Sequence, residues 1–186
     1  MNKPLLLFVG PSGSGKTTIA NLLEEKYDYK QVQSYTTRKP RYEGEVGHIF
    51  VTEEEFDKLG ELAAYTLYNG NKYGTTINQV DNSDIYVIDV PGVKTLLDNY
   101  KTDRMIYIIY FNTTVHTRIN RMLERGDCDN KIVCRLLEDE KYDWYKEIQE
   151  VVLNSDYNIY RYVRIYKVDA DESQSDVVNQ VLWYLT

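Results

Sequence analysis

With 186 residues the chain is long enough to bury the core of one domain, and no stretch of it has the composition of a flexible linker. A net charge of −7 argues against a broad basic face for nucleic acid, so any anionic ligand is expected to be small and met locally by cations. No apolar run approaches membrane-spanning length, and the step from Met1 to the first apolar run leaves no room for a signal peptide; a cytoplasmic protein without a membrane partner is expected.

The first run, "LLLFV" (5–9), is unbroken in apolar character, as in a buried strand, and apolar spacing resumes at Ile19, Leu22 and Leu23 in a helix expected over 16–27. Between them "GPSGSGKTT" fits G-x-x-x-x-G-K-[ST] at Gly10, Gly15, Lys16 and Thr17, in the strand–loop–helix context the pattern requires. Glycines let the backbone turn its N–H groups inward, and the loop opens into the positive end of a helix. Gly10, Pro11, Ser12, Gly13, Ser14, Gly15, Lys16, Thr17 and Thr18 are therefore the candidate cradle for a di- or triphosphate. Lys16 would lie across the β- and γ-phosphates, and the Thr17 hydroxyl would take one position on Mg²⁺. A glycine-rich turn without a ligand would need neither the lysine nor the hydroxyl.

Further strands are expected at "QVQS" (31–34), "DIYVIDV" (84–90), "RMIYIIYF" (104–111) and within 157–169. Helices are expected at 92–99, 114–125, 130–153 and 174–185, the last opened by Ser173 and Asp176. This alternation predicts an α/β fold with a five-stranded parallel sheet and helices on both faces. Residues 35–80 break the rhythm and read as an insertion, with a short helix capped by Thr52 and Glu55 and strand-like "LAAYTLY" and "GNKYGTT". At its start "SYTTRKPR" offers Arg38, Lys39 and Arg41 with no acid among them, a pair of guanidinium forks suited to a second phosphate. Arg118, Arg121 and Arg125 are spaced 3 and 4 apart and share one helix face, with Arg135 on the next helix. They could be a solvated face balanced by Glu124, Asp127 and Asp129; beside a phosphate loop, a cluster folding over the reaction centre is the sharper reading. Cys128 and Cys134 read as reduced bystanders, and His48 and His116 are too isolated for a zinc site or a catalytic triad.

Together "GPSGSGKTT", "SYTTRKPRYEGEVGHIFVTEEEF", "GELAAYTLYNGNKYGTT", "YVIDVPGVK" and "RMLERGD" resemble the guanylate kinase family of P-loop nucleoside monophosphate kinases, to about residue 145. The resemblance implies a P-loop NTPase fold with its core at 1–33, 81–116 and 138–186, a mononucleotide-binding subdomain at 34–80 and a lid at 117–137. It implies that Arg38, Arg41 and Tyr73 hold the acceptor phosphate, that Ser34 faces the base, and that His48 and Thr75 line the same site. Asp89 would lie near Mg²⁺, through water, and near the acceptor; Arg125 would reach the adenine side of ATP, with Arg135 and Arg121 closer to the transferred group. Lys16, Arg38, Arg125 and Arg135 are the catalytic set so implied.

The implied activity is transfer of a phosphoryl group from ATP, with Mg²⁺, to a nucleoside or deoxynucleoside monophosphate, GMP or dGMP first, by a monomer or homodimer. In the family a glutamate reads guanine where this chain has Ala64, a tyrosine stands at the place of His48, and an aspartate is frequent at that of Val87. A pyrimidine or modified-base deoxynucleotide is therefore the alternative acceptor, and a non-catalytic binding module the alternative of another class.

Overall fold

The computed structural model describes residues 3–40, 43–68 and 70–186. In chain order its elements are β1 (Leu5–Val9), α1 (Lys16–Tyr27), β2 (Ser34–Thr36), β3 (His48–Phe50), α2 (Glu53–Phe56), β4 (Leu62–Tyr68), β5 (Asn71–Thr76), α3 (Ile77–Asp81), β6 (Ile85–Val87) and α4 (Val90–Asn99). There follow β7 (Ile106–Asn112), α5 (Val115–Glu124), α6 (Asp129–Asp139), α7 (Trp144–Leu153), α8 (Tyr157–Tyr160), β8 (Val163–Asp169) and α9 (Gln174–Trp183).

The apolar run of β1 is buried on both faces because it lies inside a parallel sheet ordered β6-β1-β7-β8. Its side chains alternate between two cores. Leu5, Leu7 and Val9 join Val93, Leu96 and Leu97 of α4 and Ile148 of α7, while Leu6 and Phe8 join Ile19 and Leu23 of α1 and Val177 and Val181 of α9. Helices thus cover both faces, as the alternation predicts.

Two expectations are corrected. Among the described residues the parallel sheet has four strands, not five: 31–34 contributes a single bridge, Gln31 to Ile85, with the Val32 N–H donating to the Ile85 carbonyl at 2.8 Å. By Ser34 the chain is already paired with His48 in a second sheet, and Val32 is the only apolar residue of the run, too little to hold a strand in the core. The helix expected over 130–153 is two helices, α6 and α7. The polar stretch 138–143 offers almost nothing to a core, and Asp143 starts α7 afresh by accepting from the Lys146 N–H at 3.3 Å.

The second sheet, ordered β3-β2-β5-β4, holds β2 and β3 parallel and the other pairs antiparallel. It is moored to α4: Asn99 Nδ2 donates to the Leu62 carbonyl at 3.1 Å, Thr95 Oγ1 donates to the Tyr65 carbonyl at 3.0 Å, and Ala63 and Ala64 enter the same core as Val93. The residues following β1 and β6 therefore emerge side by side, at the carboxyl end of the parallel sheet and beside the second one, where ligands of open α/β sheets bind.

Candidate active site

Gly10–Thr18 leaves the end of β1 and closes onto the first turn of α1 through Gly15, whose φ of 94° is in the left-handed region. Gly13 is held by contact: a Cβ there would lie 2.8 Å from the carbonyl oxygen of Arg118, so α5 rests on the loop backbone itself. The Lys16 ammonium folds back across the loop, donating to the carbonyls of Gly10 at 2.7 Å and Pro11 at 2.9 Å and to Ser14 Oγ at 3.2 Å. Desolvation lowers its pKa to about 8; the charges of Arg118, Arg135 and Arg125 push the same way, and Asp139 opposes them. The lysine and the arginine elements thus share one site.

Each arginine of the stripe has a distinct place. Arg118 is buried, donating from Nε to the Ser12 carbonyl at 2.8 Å and pairing through Nη2 with Asp139. Arg121 bridges the loop and the end of the sheet, with Nη1 on the Ser14 carbonyl at 3.3 Å and Nη2 on the Ala170 carbonyl at 2.8 Å. Arg125 is half exposed and pairs with Asp127. Partial burial works against ionisation of Asp127, yet Lys131 and Arg125 hold its carboxyl down to about 2. Arg135, on α6, is partly buried and acts on both Lys16 and Tyr68. The balancing acid of the sequence reading is found in Asp127, but Arg118 turns instead to Asp139, which that reading did not single out. Those two side chains are 21 positions apart on different helices, so no local spacing connects them.

On the second sheet, β2, β3 and β5 bring Ser34, Arg38, His48 and Tyr73 together. Ser34 Oγ and His48 Nδ1 share a hydrogen bond of 2.9 Å, and the His48 ring meets that of Tyr73 edge-on, centroids 5.7 Å apart. Arg38 faces Tyr73 and forms a two-pronged pair with Glu45 at 2.9 and 3.1 Å. Thr75 is fully buried and donates to Gln79 Oε1 at 3.0 Å, which turns its hydroxyl toward α3. Arg41 lies outside the described residues.

Asp89 follows β6 and caps α4, accepting from the Gly92 N–H at 2.9 Å, while its other oxygen accepts from Thr66 Oγ1, also at 2.9 Å. Burial raises its pKa, against the pull of both bonds. A cavity of about 40 Å³ lies between Asp89 and Asp139, walled by Tyr68, Tyr142 and Trp144. Ala64, at the place of the family's glutamate, is 1% exposed. Among the described residues no group of three or more His, Cys, Asp or Glu side chains could cage a metal ion, and no helix is long and apolar enough to cross a membrane.

Residues 1–160 match the family model described as guanylate kinase. A guanylate kinase of Helicobacter pylori is 35% identical over 159 residues, 78% of this chain and 73% of that protein. One from Clostridium tetani is 32% identical over 96% of this chain and 87% of its own length. In fold the chain is similar to the crystal structure of guanylate kinase from Anaplasma phagocytophilum, with a TM-score of 0.53 and 24% identity, over 100% of this chain and 89% of that one. A match running from the phosphate loop through the arginine-bearing helices, to relatives covered over most of their length, makes this chain a member of the guanylate kinase family of nucleoside monophosphate kinases.

Proposed function

We propose that the chain transfers the γ-phosphoryl group of ATP to GMP. The observation that carries this reading is the convergence at Lys16, where the phosphate loop meets the charges of three arginines from the following helices. Gly10–Thr18 cradles the donor phosphates, and Lys16 spans the β- and γ-oxygens. The Thr17 hydroxyl, in the exposed first turn of α1, would hold the Mg²⁺ of the nucleotide, with Asp89 reaching it through water, and the ion would supply positive charge to the donor phosphates. Arg121, Arg125 and Arg135 belong to a lid at 117–137 on the donor side. The subdomain at 34–80 receives the acceptor phosphate on Arg38, Arg41, Tyr73 and His48, with Ser34 toward the base; Thr75, bonded to Gln79, supports that strand from behind.

The accepting phosphate oxygen is already anionic, so the reaction needs no general base. Catalysis is alignment and charge neutralisation: Lys16 and the arginines balance charge spread over the transferring group, and closure of the two segments keeps water from ATP. Arg38 supports this role because its fork already holds a carboxylate, Glu45, that a phosphate would replace. A second reading, a different base on the acceptor, is favoured by Ala64, whose buried methyl cannot accept from guanine's N–H groups.

A coupled assay of ATP consumption with GMP, dGMP, AMP, dTMP, dUMP and dCMP tests both. GMP is expected to be turned over fastest; a pyrimidine nucleotide in first place establishes the second reading, and no turnover with any of them overturns the kinase. Lys16→Ala should abolish turnover while the chain stays folded. Arg38→Ala should raise the KM for GMP by about ten- to a hundredfold, the worth of a charge-assisted bond, with the KM for ATP nearly unchanged.

A further inference from the structure

Asp139 and Arg118 are 7% and 6% exposed, and no role in the reaction assigned above uses the carboxylate. Burying an ion pair rarely stabilises a fold more than apolar side chains of the same volume would, so its position asks for another explanation. Asp139 Oδ2 takes two donors at once, Arg118 Nη2 and, at 3.0 Å, the backbone N–H of Ser12. Arg118 closes the ring by donating Nε to the Ser12 carbonyl. An N–H of the phosphate loop, the kind of donor that such loops turn toward phosphate oxygens, is therefore bonded to a carboxylate oxygen. The charge of that carboxylate also favours the ammonium of Lys16 against desolvation and the arginines.

We propose that Asp139 is a positioning residue of the donor site, a carboxylate that competes with the terminal phosphate of ATP for the same donors. It holds the Ser12 N–H and Arg118 in a phosphate-receiving arrangement, and its charge favours the ammonium of Lys16. It must withdraw when the γ-phosphate arrives, because two anions cannot share one desolvated donor. Its withdrawal passes Arg118 to the incoming phosphate. ADP, which lacks the outermost phosphate, leaves the ring closed. The inference rests on the donor-site reading above and adds an internal competitor to it.

The test is calorimetric titration of magnesium-loaded ATP and ADP into the intact chain, Asp139→Asn and Asp139→Ala, with thermal melting of each. Asp139→Asn keeps the shape and an acceptor for Arg118 but removes the charge, so it should tighten ATP by about tenfold while moving ADP by less than about threefold. ATP affinity unchanged or weakened, or ATP and ADP moving in parallel, shows Asp139 to be a structural partner of Arg118 and overturns the proposal. Should the variants fail to fold, the unaltered chain decides. In ¹⁵N-resolved NMR the Ser12 N–H and Arg118 Nε–H signals should shift on saturation with a non-hydrolysable ATP analogue and stay in place with ADP. The same signals unmoved by the analogue overturn the proposal. Failure of the unaltered chain to bind either nucleotide overturns the donor-site reading first, and the competitor with it.

Discussion

At the scale of single residues, Lys16 shows how neighbouring charges and desolvation tune an ammonium group. With a pKa near 8, its ammonium is fully formed only well below that value, and the phosphate grip proposed for it needs the charged form. ATP should therefore bind more weakly as pH rises through about 8, and binding at pH 8 should take up about half a proton per chain. Titration in two buffers of different ionisation heat measures that uptake; it should vanish in Lys16→Met, and its absence from the unaltered chain would mean that the lysine is not depressed. Stability follows the same sign. The folded value lies below the 10.5 of a free lysine, so the unfolded chain holds more protons between about 8 and 10.5. The cost of the buried ammonium is full below that window and is relieved as pH rises across it.

Among the elements, α4 joins the two sheets. Its first turn is capped by Asp89, its surface carries β4 through Thr95 and Asn99, and Thr66 of β4 returns to Asp89. Asp89→Ala removes the cap, a loss of about 1 kcal/mol, which in a chain of this length lowers the thermal midpoint by about 2–4 °C. Asp89→Asn still accepts from Gly92 and should melt close to the unaltered chain. Both should lose kinase activity if the carboxylate serves the site as a charge, and melting curves beside initial rates separate the two roles. An Asn variant that melts as low as the Ala variant would show that Asp89 does not stabilise α4 as a cap.

On the scale of the whole molecule, two sheets of unequal depth flank one cleft. The central strands β1 and β7 lie in continuous cores, whereas β3 is only half-buried and β4 is mostly exposed beyond Ala64. Opening should therefore be easier in the second sheet. Hydrogen exchange followed by mass spectrometry should show slowest exchange in β1 and β7. GMP should slow exchange in β2 to β5, and a non-hydrolysable ATP analogue should slow it in the phosphate loop, α5 and α6. Protection of the same segments by both ligands would mean that donor and acceptor do not occupy separate halves of the cleft.

Much of this was legible along the chain because its causes are local. The apolar run of β1, the glycine pattern of the phosphate loop, the capping box at Thr52 and Glu55 and the cap at Ser173 each depend on contacts within a few residues, and the structure shows them where the spacing predicts. The strand at 31–34 and the unbroken helix over 130–153 were not so determined. The first depended on which of two sheets would claim the chain after Gln31, the second on whether 138–143 would find a core to face. The partners of the arginines were beyond the sequence altogether. Ser12 and Asp139 are 127 positions apart, and only the packing of α5 on Gly13, with α6 turned back toward the loop, brings a carboxylate onto a phosphate-loop amide. Residue type and spacing decide which groups can hold a phosphate; which side chain meets the Ser12 amide is decided by the tertiary packing that sets those helices against the loop.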